Sequence, residues 1–115
     1  MYLSVIVPVY NEEGAAAKLH AEILAMCRKL NQPFEIIFVN DGSSDKTMET
    51  LKTLSPIKII NLRRNFGQTA AMDAGIKAAQ GRYLATLDGD GQNDPADIPS
   101  LIKKLEARRF RQVSH

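Results

Sequence analysis

The segment YLSVIVPV, residues 2–9, is the most informative part of this chain, because it is rich in β-branched residues, almost wholly apolar and followed at once by the polar run YNEEG. A run of this kind is typical of a strand that is buried on both faces, as in parallel sheets. Apolar residues from Leu19 to Leu30 then recur at helical spacing and predict an amphipathic helix over residues 13–31. A second buried strand, residues 34–39 (FEIIFV), follows that helix.

The same alternation continues along the rest of the chain. We predict a short helix around Met48 and Leu51, a strand over residues 57–60, a helix over 68–79 with Ala70, Ala74 and Ala78 in one closely packed row, a strand over 83–87, and a last helix that Asp94 caps and Pro95 begins. The order βαβαβαβα predicts an α/β fold with a largely parallel sheet and helices on both faces. The apolar period is lost after Leu105, so the helix is expected to end there.

Composition places the chain among ordinary globular domains. Its 115 residues are 44% apolar and 24% charged, which excludes disorder, and a net charge of +2 is too even to indicate a nucleic-acid partner. The one cysteine, Cys27, falls in a helical pattern and is expected in the core, whereas His20 is expected to face solvent. Without a signal-peptide layout or a long apolar run, the sequence predicts a cytoplasmic protein, with peripheral membrane contact still open.

Polar side chains collect where each predicted strand ends. YNEE follows the first strand, NDGS (residues 40–43) the second, RRN (residues 63–65) the third and DGDGQ (residues 88–92) the fourth. In an open parallel sheet, ligands bind beyond the carboxyl ends of the strands. These four clusters therefore predict a binding site along one rim of the sheet.

The chemistry of this rim favours a metal-assisted nucleotide site. The segment PVYNEEG replaces the G-x-G-x-x-G loop of dinucleotide-binding domains, and the sequence has no G-x-x-x-x-G-K-[ST] loop. A bound diphosphate would then need a cation, and Asp88-Gly89-Asp90 offers two carboxylates that the glycine allows to converge. Hard oxygen ligands of this type suit Mg²⁺ or Mn²⁺.

Four segments together resemble glycosyltransferase family 2. They are SVIVPVYNEE, FVNDGSSDKT, RRNFGQTAAMDAGIKAAQGRY and LDGDGQNDPADIP, in the family's order and spacing. The D-x-D-x-Q-x-x-P pattern is most similar to the polyprenyl-phosphate sugar transferases related to dolichol-phosphate mannose synthase. The match runs from residue 3 to about 105 and corresponds to the N-terminal half of the family's domain. Residues 1–105 are thus expected to form a truncated, nucleotide-diphosphate-sugar-binding half, and residues 106–115 a basic tail.

The resemblance implies a Rossmann-like GT-A fold and an inverting, metal-dependent transferase. A UDP- or GDP-linked sugar would be the donor, and a polyprenyl phosphate at the inner face of the membrane the acceptor. The implied site residues are Pro8, Tyr10 and Glu12 for base and ribose, Asp41 for the base, Asp88 for ribose and metal, and Asp90 and Gln92 for Mg²⁺ or Mn²⁺, with Asp88 and Asp90 as the catalytic pair.

Several alternatives remain open on the sequence alone. Asp41 could close an Asx-turn, Glu12 and Glu13 could favour the dipole of the first helix, and Arg64 with Asn65 could approach a phosphate. The chain could instead be a non-catalytic nucleotide-binding module, or a fragment that self-associates through an exposed sheet edge. A nucleotidyltransferase is the third possibility, but it would normally place a basic, glycine-rich loop after the first strand.

Overall fold

A computed structural model describes residues 1–88 and 94–113, with side chains up to Glu106. The strands in these ranges are β1 (Leu3–Val9), β2 (Phe34–Asn40), β3 (Lys58–Asn61) and β4 (Tyr83–Thr86). The helices are α1 (Ala16–Lys29), α2 (Thr47–Leu51), α3 (Gln68–Ala78) and α4 (Ile98–Val113), and a 3-10 turn, Pro95–Asp97, precedes α4. The predicted order of elements is confirmed, with their ends displaced by a few residues.

All of the strand pairs are parallel, and the strand order in the sheet is β3-β2-β1-β4. β1 lies in the interior, where Leu3 is opposite Phe34 of β2 on one side and Tyr83 of β4 on the other. The chain therefore adds β2 and β3 on one side of β1 and returns to the other side with β4. This reversal creates a topological switch point beside β1, the usual place for a ligand in an open α/β sheet.

Helices cover both faces of the sheet, as predicted. On the α1 face, alternate side chains of β1 pack with α1, α2 and α4 in the larger apolar core, which contains Leu3, Val5, Val7, Val9, Leu19, Ile23, Cys27, Phe38, Leu51, Ile98 and Ile102. On the α3 face, the buried cluster consists of Ile6, Ile37, Val39 and Ala71. The full burial of β1 explains why its sequence is almost continuously apolar.

α3 packs on the sheet through small residues, and the row we predicted is only partly correct, since Ala74 is half-buried and packs against the cluster on this face. Ala70 is exposed, whereas Ala71 and Gly75 are buried. A Cβ atom on Gly75 would lie 2.4 Å from Ile6 Cγ2, so the missing side chain is what allows the helix to come this close. Consecutive helical residues point about 100° apart, so residues 70 and 71 face different sides of the helix. Alanine occupies both positions, so the sequence did not show which of the two faces the sheet.

His20 is buried, which makes its expected solvent exposure wrong. The residue is only 4% exposed, and its Nε2 atom lies 2.8 Å from the carbonyl oxygen of Pro56, which can only accept. His20 lies in the same helical stripe as Ala16, Ile23 and Cys27, so the helical spacing could have predicted its burial. Cys27 is confirmed as a core residue, and burial raises the pKa of its thiol to about 11.

α4 continues to Val113, so the expectation that the helix ends near Leu105 is wrong. The segment beyond Leu105 has lost its apolar period but still contains alanine, arginine, glutamine and glutamate, which are good helix formers. The division into a sugar-binding half and a basic tail remains a prediction. None of the helices in residues 1–88 and 94–113 combines the length and the apolar character that a membrane crossing requires.

Candidate functional site

A pocket of about 320 Å³ opens at the carboxyl end of the sheet, beside the switch point. The residues that line it are Pro8, Val9, Tyr10, Glu12, Asp41, Asn65, Gly67, Gln68 and Asp88. They come from the ends of β1, β2 and β4 and from the β3–α3 loop. The structure thus brings together all the predicted nucleotide-binding residues, namely Pro8, Tyr10, Glu12, Asp41 and Asp88. The predicted metal ligands Asp90 and Gln92 lie outside the described residues.

The loop after β1 is held by hydrogen bonds to the loop after β2. Asn11 has a left-handed backbone with φ of 53°, and its side-chain oxygen accepts the Ser44 N–H at 2.8 Å. The Glu12 N–H donates to the Thr47 hydroxyl at 2.9 Å. These contacts turn the chain away from β1 and leave Tyr10 and Glu12 on the pocket wall, whereas Glu13 is exposed and outside the pocket lining.

Asp41 is not the residue that closes the turn after β2, so that alternative reading is wrong. The turn is made by Asn40, whose Oδ1 accepts the Ser43 N–H at 3.3 Å and the Ser43 hydroxyl at 2.5 Å. Asp41 is only 4% exposed and points across the rim to the β3–α3 loop. Its Oδ1 accepts the Phe66 N–H at 2.8 Å and its Oδ2 accepts the Gly67 N–H at 3.1 Å.

Gly42 brings the two loops into backbone contact. Its φ is +70°, and a Cβ atom there would lie 2.2 Å from the carbonyl carbon of Arg64. A residue with a side chain would be strained by both the backbone angle and the contact. The Asp41–Gly42 segment therefore fixes the β3–α3 loop against the end of β2.

The β3–α3 loop leads into Gln68, the first residue of α3, which lines the pocket next to Asp88. There its Nε2 donates to Asp88 Oδ1 at 2.6 Å, which joins α3 to the end of β4. Sequence reasoning missed Gly67 and Gln68. Their signal was the FGQ run after the third strand, where a glycine with φ of +101° precedes a helix at the binding rim.

The remaining alternatives are partly decided. Of the two residues considered for phosphate contact, Asn65 lines the pocket, whereas the Arg64 guanidinium lies over the Phe66 ring with 4.7 Å between its carbon and the ring centroid. Asp94 is confirmed as a helix cap, since its Oδ1 accepts the Ala96 N–H at 3.0 Å and Pro95 begins the 3-10 turn.

The pocket is acidic, because Glu12, Asp41 and Asp88 all line it. An anionic diphosphate would meet like charge there unless a cation accompanied it. Within residues 1–88 and 94–106 no three side chains of histidine, cysteine, aspartate or glutamate are grouped so that they could hold a metal by themselves. Any metal at Asp88 would thus need further ligands other than the histidine, cysteine, aspartate and glutamate side chains of these ranges.

The arrangement of a parallel sheet, a switch-point pocket and acidic strand ends agrees with a comparison of the whole sequence. The family model described as glycosyl transferase family 2 matches residues 4–114. The chain belongs to this family. The expected resemblance is thereby confirmed, and the nucleotidyltransferase alternative is set aside.

A curated relative places this family 2 chain near the polyprenyl-phosphate branch, as the resemblance predicted. The dodecaprenyl-phosphate galacturonate synthase of Rhizobium johnstonii is 45% identical over 113 residues, which cover 94% of this chain and 33% of that protein. The chain therefore spans about a third of the length of this relative.

Solved structures confirm the GT-A fold. TarS 1–349 of S. aureus, in complex with UDP-GlcNAc, is 26% identical with a TM-score of 0.70, and the match covers 93% of this chain and 32% of that one. Glucosyl-3-phosphoglycerate synthase from Mycobacterium tuberculosis, in complex with Mn²⁺, UDP and glucosyl-3-phosphoglycerate, has a TM-score of 0.74. At 21% identity, over 90% of this chain and 39% of that one, it shows the shared fold alone.

Proposed function

We propose that this chain is the donor-binding part of a glycosyltransferase that moves a sugar from a nucleotide diphosphate to a polyprenyl phosphate. The observation that carries the proposal is the convergence of Pro8, Tyr10, Glu12, Asp41 and Asp88 in one pocket at the switch point. The relative from Rhizobium johnstonii, named for a polyprenyl-phosphate product, supports the acceptor class. The TarS complex with UDP-GlcNAc supports a nucleotide-sugar donor.

The base is proposed to bind on the Asp41 side of the pocket. Each carboxylate oxygen of Asp41 accepts one backbone N–H, and a carboxylate oxygen has a second lone pair, so a ring N–H of the base can still be accepted. Tyr10 is 45% exposed and offers an aromatic surface for the base or ribose. Pro8 and Glu12 complete this wall.

The diphosphate is proposed to lie on the Asp88 side. Mg²⁺ in nucleotide sites is usually bound by one or two carboxylates together with the phosphates, and Asp88 offers one such carboxylate. Asp88 would hold Mg²⁺ or Mn²⁺ together with Asp90 and Gln92, which lie outside the described residues. Such a metal, when bound, offsets the charge that builds on the departing diphosphate.

The proposed reaction is a single displacement with inversion at the anomeric carbon. An oxygen of the acceptor phosphate forms a bond to that carbon while the bond to the nucleotide diphosphate breaks, and the nucleotide diphosphate leaves. The transition state resembles an oxocarbenium ion, as in glycoside hydrolysis. Because the acceptor is already anionic, Glu12 and Asp41 need not act as a strong base and can serve to bind and orient the donor.

Calorimetric titration of the chain with UDP and GDP, each with and without Mn²⁺, tests this proposal. We expect binding that Mn²⁺ strengthens and that, in the presence of Mn²⁺, becomes weaker by about tenfold or more in Asp88→Ala, because a ligand of the metal is lost. Asp73→Ala is the matched control, since Asp73 is exposed on α3 and pairs with Lys77 at 2.9 Å. A folded protein that binds neither nucleotide would rule the proposal out.

A self-associating, non-catalytic module remains the second candidate, and one observation favours it. β4 ends the strand order of the described sheet, and the side chains of Leu84 and Leu101 are exposed beside a groove of about 450 Å³. Light scattering on the titration samples separates the candidates. A concentration-dependent dimer without nucleotide binding would favour self-association, whereas nucleotide binding by a monomer would favour the transferase.

A further inference from the structure

We propose that Gln68 is a positioning residue, which sets the orientation of the Asp88 carboxylate for the diphosphate and its metal. This inference rests on the proposed function. It concerns the strap, which we define as residues 65–68. The strap crosses the rim from the end of β2 to the end of β4 and carries Gln68 at its far end.

The near end of the strap is fixed by Asp41 and Gly42. The buried Asp41 carboxylate accepts two consecutive N–H groups, those of Phe66 and Gly67, at 2.8 and 3.1 Å. Gly42 allows the two loop backbones to touch. Hydrogen bonds from N–H groups to an ionised acceptor are among the stronger ones in proteins, so the backbone just before Gln68 has little freedom.

The far end of the strap is fixed by the packing of α3. Gly75 brings that helix so close to Ile6 that even a methyl group would collide with it. Gln68 is the first residue of the same helix. Because the backbone at Gln68 is held both by the strap and by the helix, its side-chain amide has a defined place from which to reach Asp88.

The contact itself is short and charge-assisted, with 2.6 Å between Gln68 Nε2 and Asp88 Oδ1. Partners of this kind orient metal-ligating carboxylates, and their loss typically lowers metal affinity by about 10- to 100-fold. Gln68 would therefore act through Asp88. Its removal should weaken the part of nucleotide binding that depends on metal and leave the metal-free part unchanged.

The test compares Gln68→Met, which keeps the length of the side chain but cannot donate, with Gln68→Glu, which faces Asp88 with like charge. The matched control is Gln80→Met, because Gln80 is exposed beyond the other end of α3. Titration with UDP and GDP should show affinity about tenfold weaker in Mn²⁺ for Gln68→Met and weaker still for Gln68→Glu. Without metal, Gln68→Met, which adds no charge, should stay within about twofold of the unmodified chain, as expected if one metal-linked contact is lost. For Gln68→Met, equal losses with and without metal, or no loss, would overturn the inference.

A second measurement separates failure of this inference from failure of the proposed function. The side-chain amide signals of Gln68 and Gln80 are assigned in ¹⁵N NMR spectra from their loss in the two methionine variants. The Gln68 signal should shift in Asp88→Asn, while the Gln80 signal should not. An unmoved Gln68 signal overturns the contact. A moved signal in a chain that binds neither nucleotide overturns the proposed function, and the positioning role with it, and leaves only the contact.

Discussion

The two faces of the sheet are stabilised in different ways. On the α1 face, large apolar side chains from β1, β2 and three helices form one core, which includes the fully buried Phe38. On the α3 face, a single helix lies close to the sheet through Ala71 and Gly75. At the amino end of that same face, the fully buried Ser4 hydroxyl donates to Glu35 at 2.6 Å.

This difference shows how the fold combines stability with accuracy at the pocket. The α1 face removes most of the apolar surface from water, and this burial is the main driving force for folding. The α3 face contributes less apolar area, but its close backbone contact determines where α3 begins. Because α3 begins at Gln68, beside Asp88, the α3 face sets the geometry of the candidate site, although its apolar core is the smaller one.

The largest expected effect comes from removing the main side chain of the α1 face. Phe38→Ala should lower the free energy of unfolding by about 3–5 kcal/mol, because Phe38 is fully buried and its loss leaves a cavity. Urea denaturation followed by circular dichroism measures the change. Phe66→Ala is the matched control, since Phe66 is 48% exposed. Similar losses in the two variants would contradict the assignment of the core to this face.

A smaller effect is expected on the α3 face from adding one methyl group. Gly75→Ala places a Cβ atom 2.4 Å from Ile6 Cγ2. Overpacking of this kind costs about 1–3 kcal/mol, and the better helix propensity of alanine offsets up to about 1 kcal/mol. We therefore expect a net loss in urea denaturation, together with weaker nucleotide binding because α3 is displaced.

The matched control for this substitution is Gly14→Ala. Gly14 is exposed, and a Cβ atom there would meet nothing within 4 Å. Its free energy of unfolding should change by less than about 0.5 kcal/mol. If Gly75→Ala were as harmless as Gly14→Ala, close approach of α3 would not be what holds this face.

The smallest effect concerns acid, and on the α3 face it depends on Glu35. Burial by itself would raise the pKa of Glu35, but hydrogen bonds from the Ser4 hydroxyl and the Gln80 N–H outweigh it and hold that pKa below its ordinary value. The stabilisation is therefore complete above the unfolded-state pKa of about 4.3 and is lost as the pH falls through the lower folded-state value.

Thermal denaturation from pH 7 to pH 3 tests this expectation. Glu35→Gln should be less stable than the unmodified chain at pH 7, and the difference should shrink below about pH 4.3 as the carboxylate becomes protonated. Glu22→Gln, at an exposed position of α1, should show no such trend. A difference between Glu35→Gln and the unmodified chain that stays constant with pH would exclude a role for the Glu35 charge.

Much of the fold could be predicted because its signals are local. The continuous apolar run of β1 and the helical period of α1 identified their elements, and the polar residues after each strand identified the rim. Three of the errors have one kind of cause. The burial of His20, the packed row of α3 and the contact of Asp41 with the β3–α3 loop all depend on which neighbour a side chain meets. Periodicity limits which neighbours a side chain can meet but does not decide which one it meets.

The sequence by itself determined the class of this protein, since apolar periodicity specifies strands and helices and the family's motifs specify the chemistry of the strand ends. Only the tertiary structure decided that Asn40 closes the turn, that Asp41 holds the strap, and that Gln68 meets Asp88. Residues 41, 67 and 88 are far apart along the chain, and they meet because parallel strands end at one edge. The physical reason is that burial and close packing depend on which residues are neighbours in space, not along the chain. Gly42 and Gly75 matter because a side chain at either position would collide with a residue of another element.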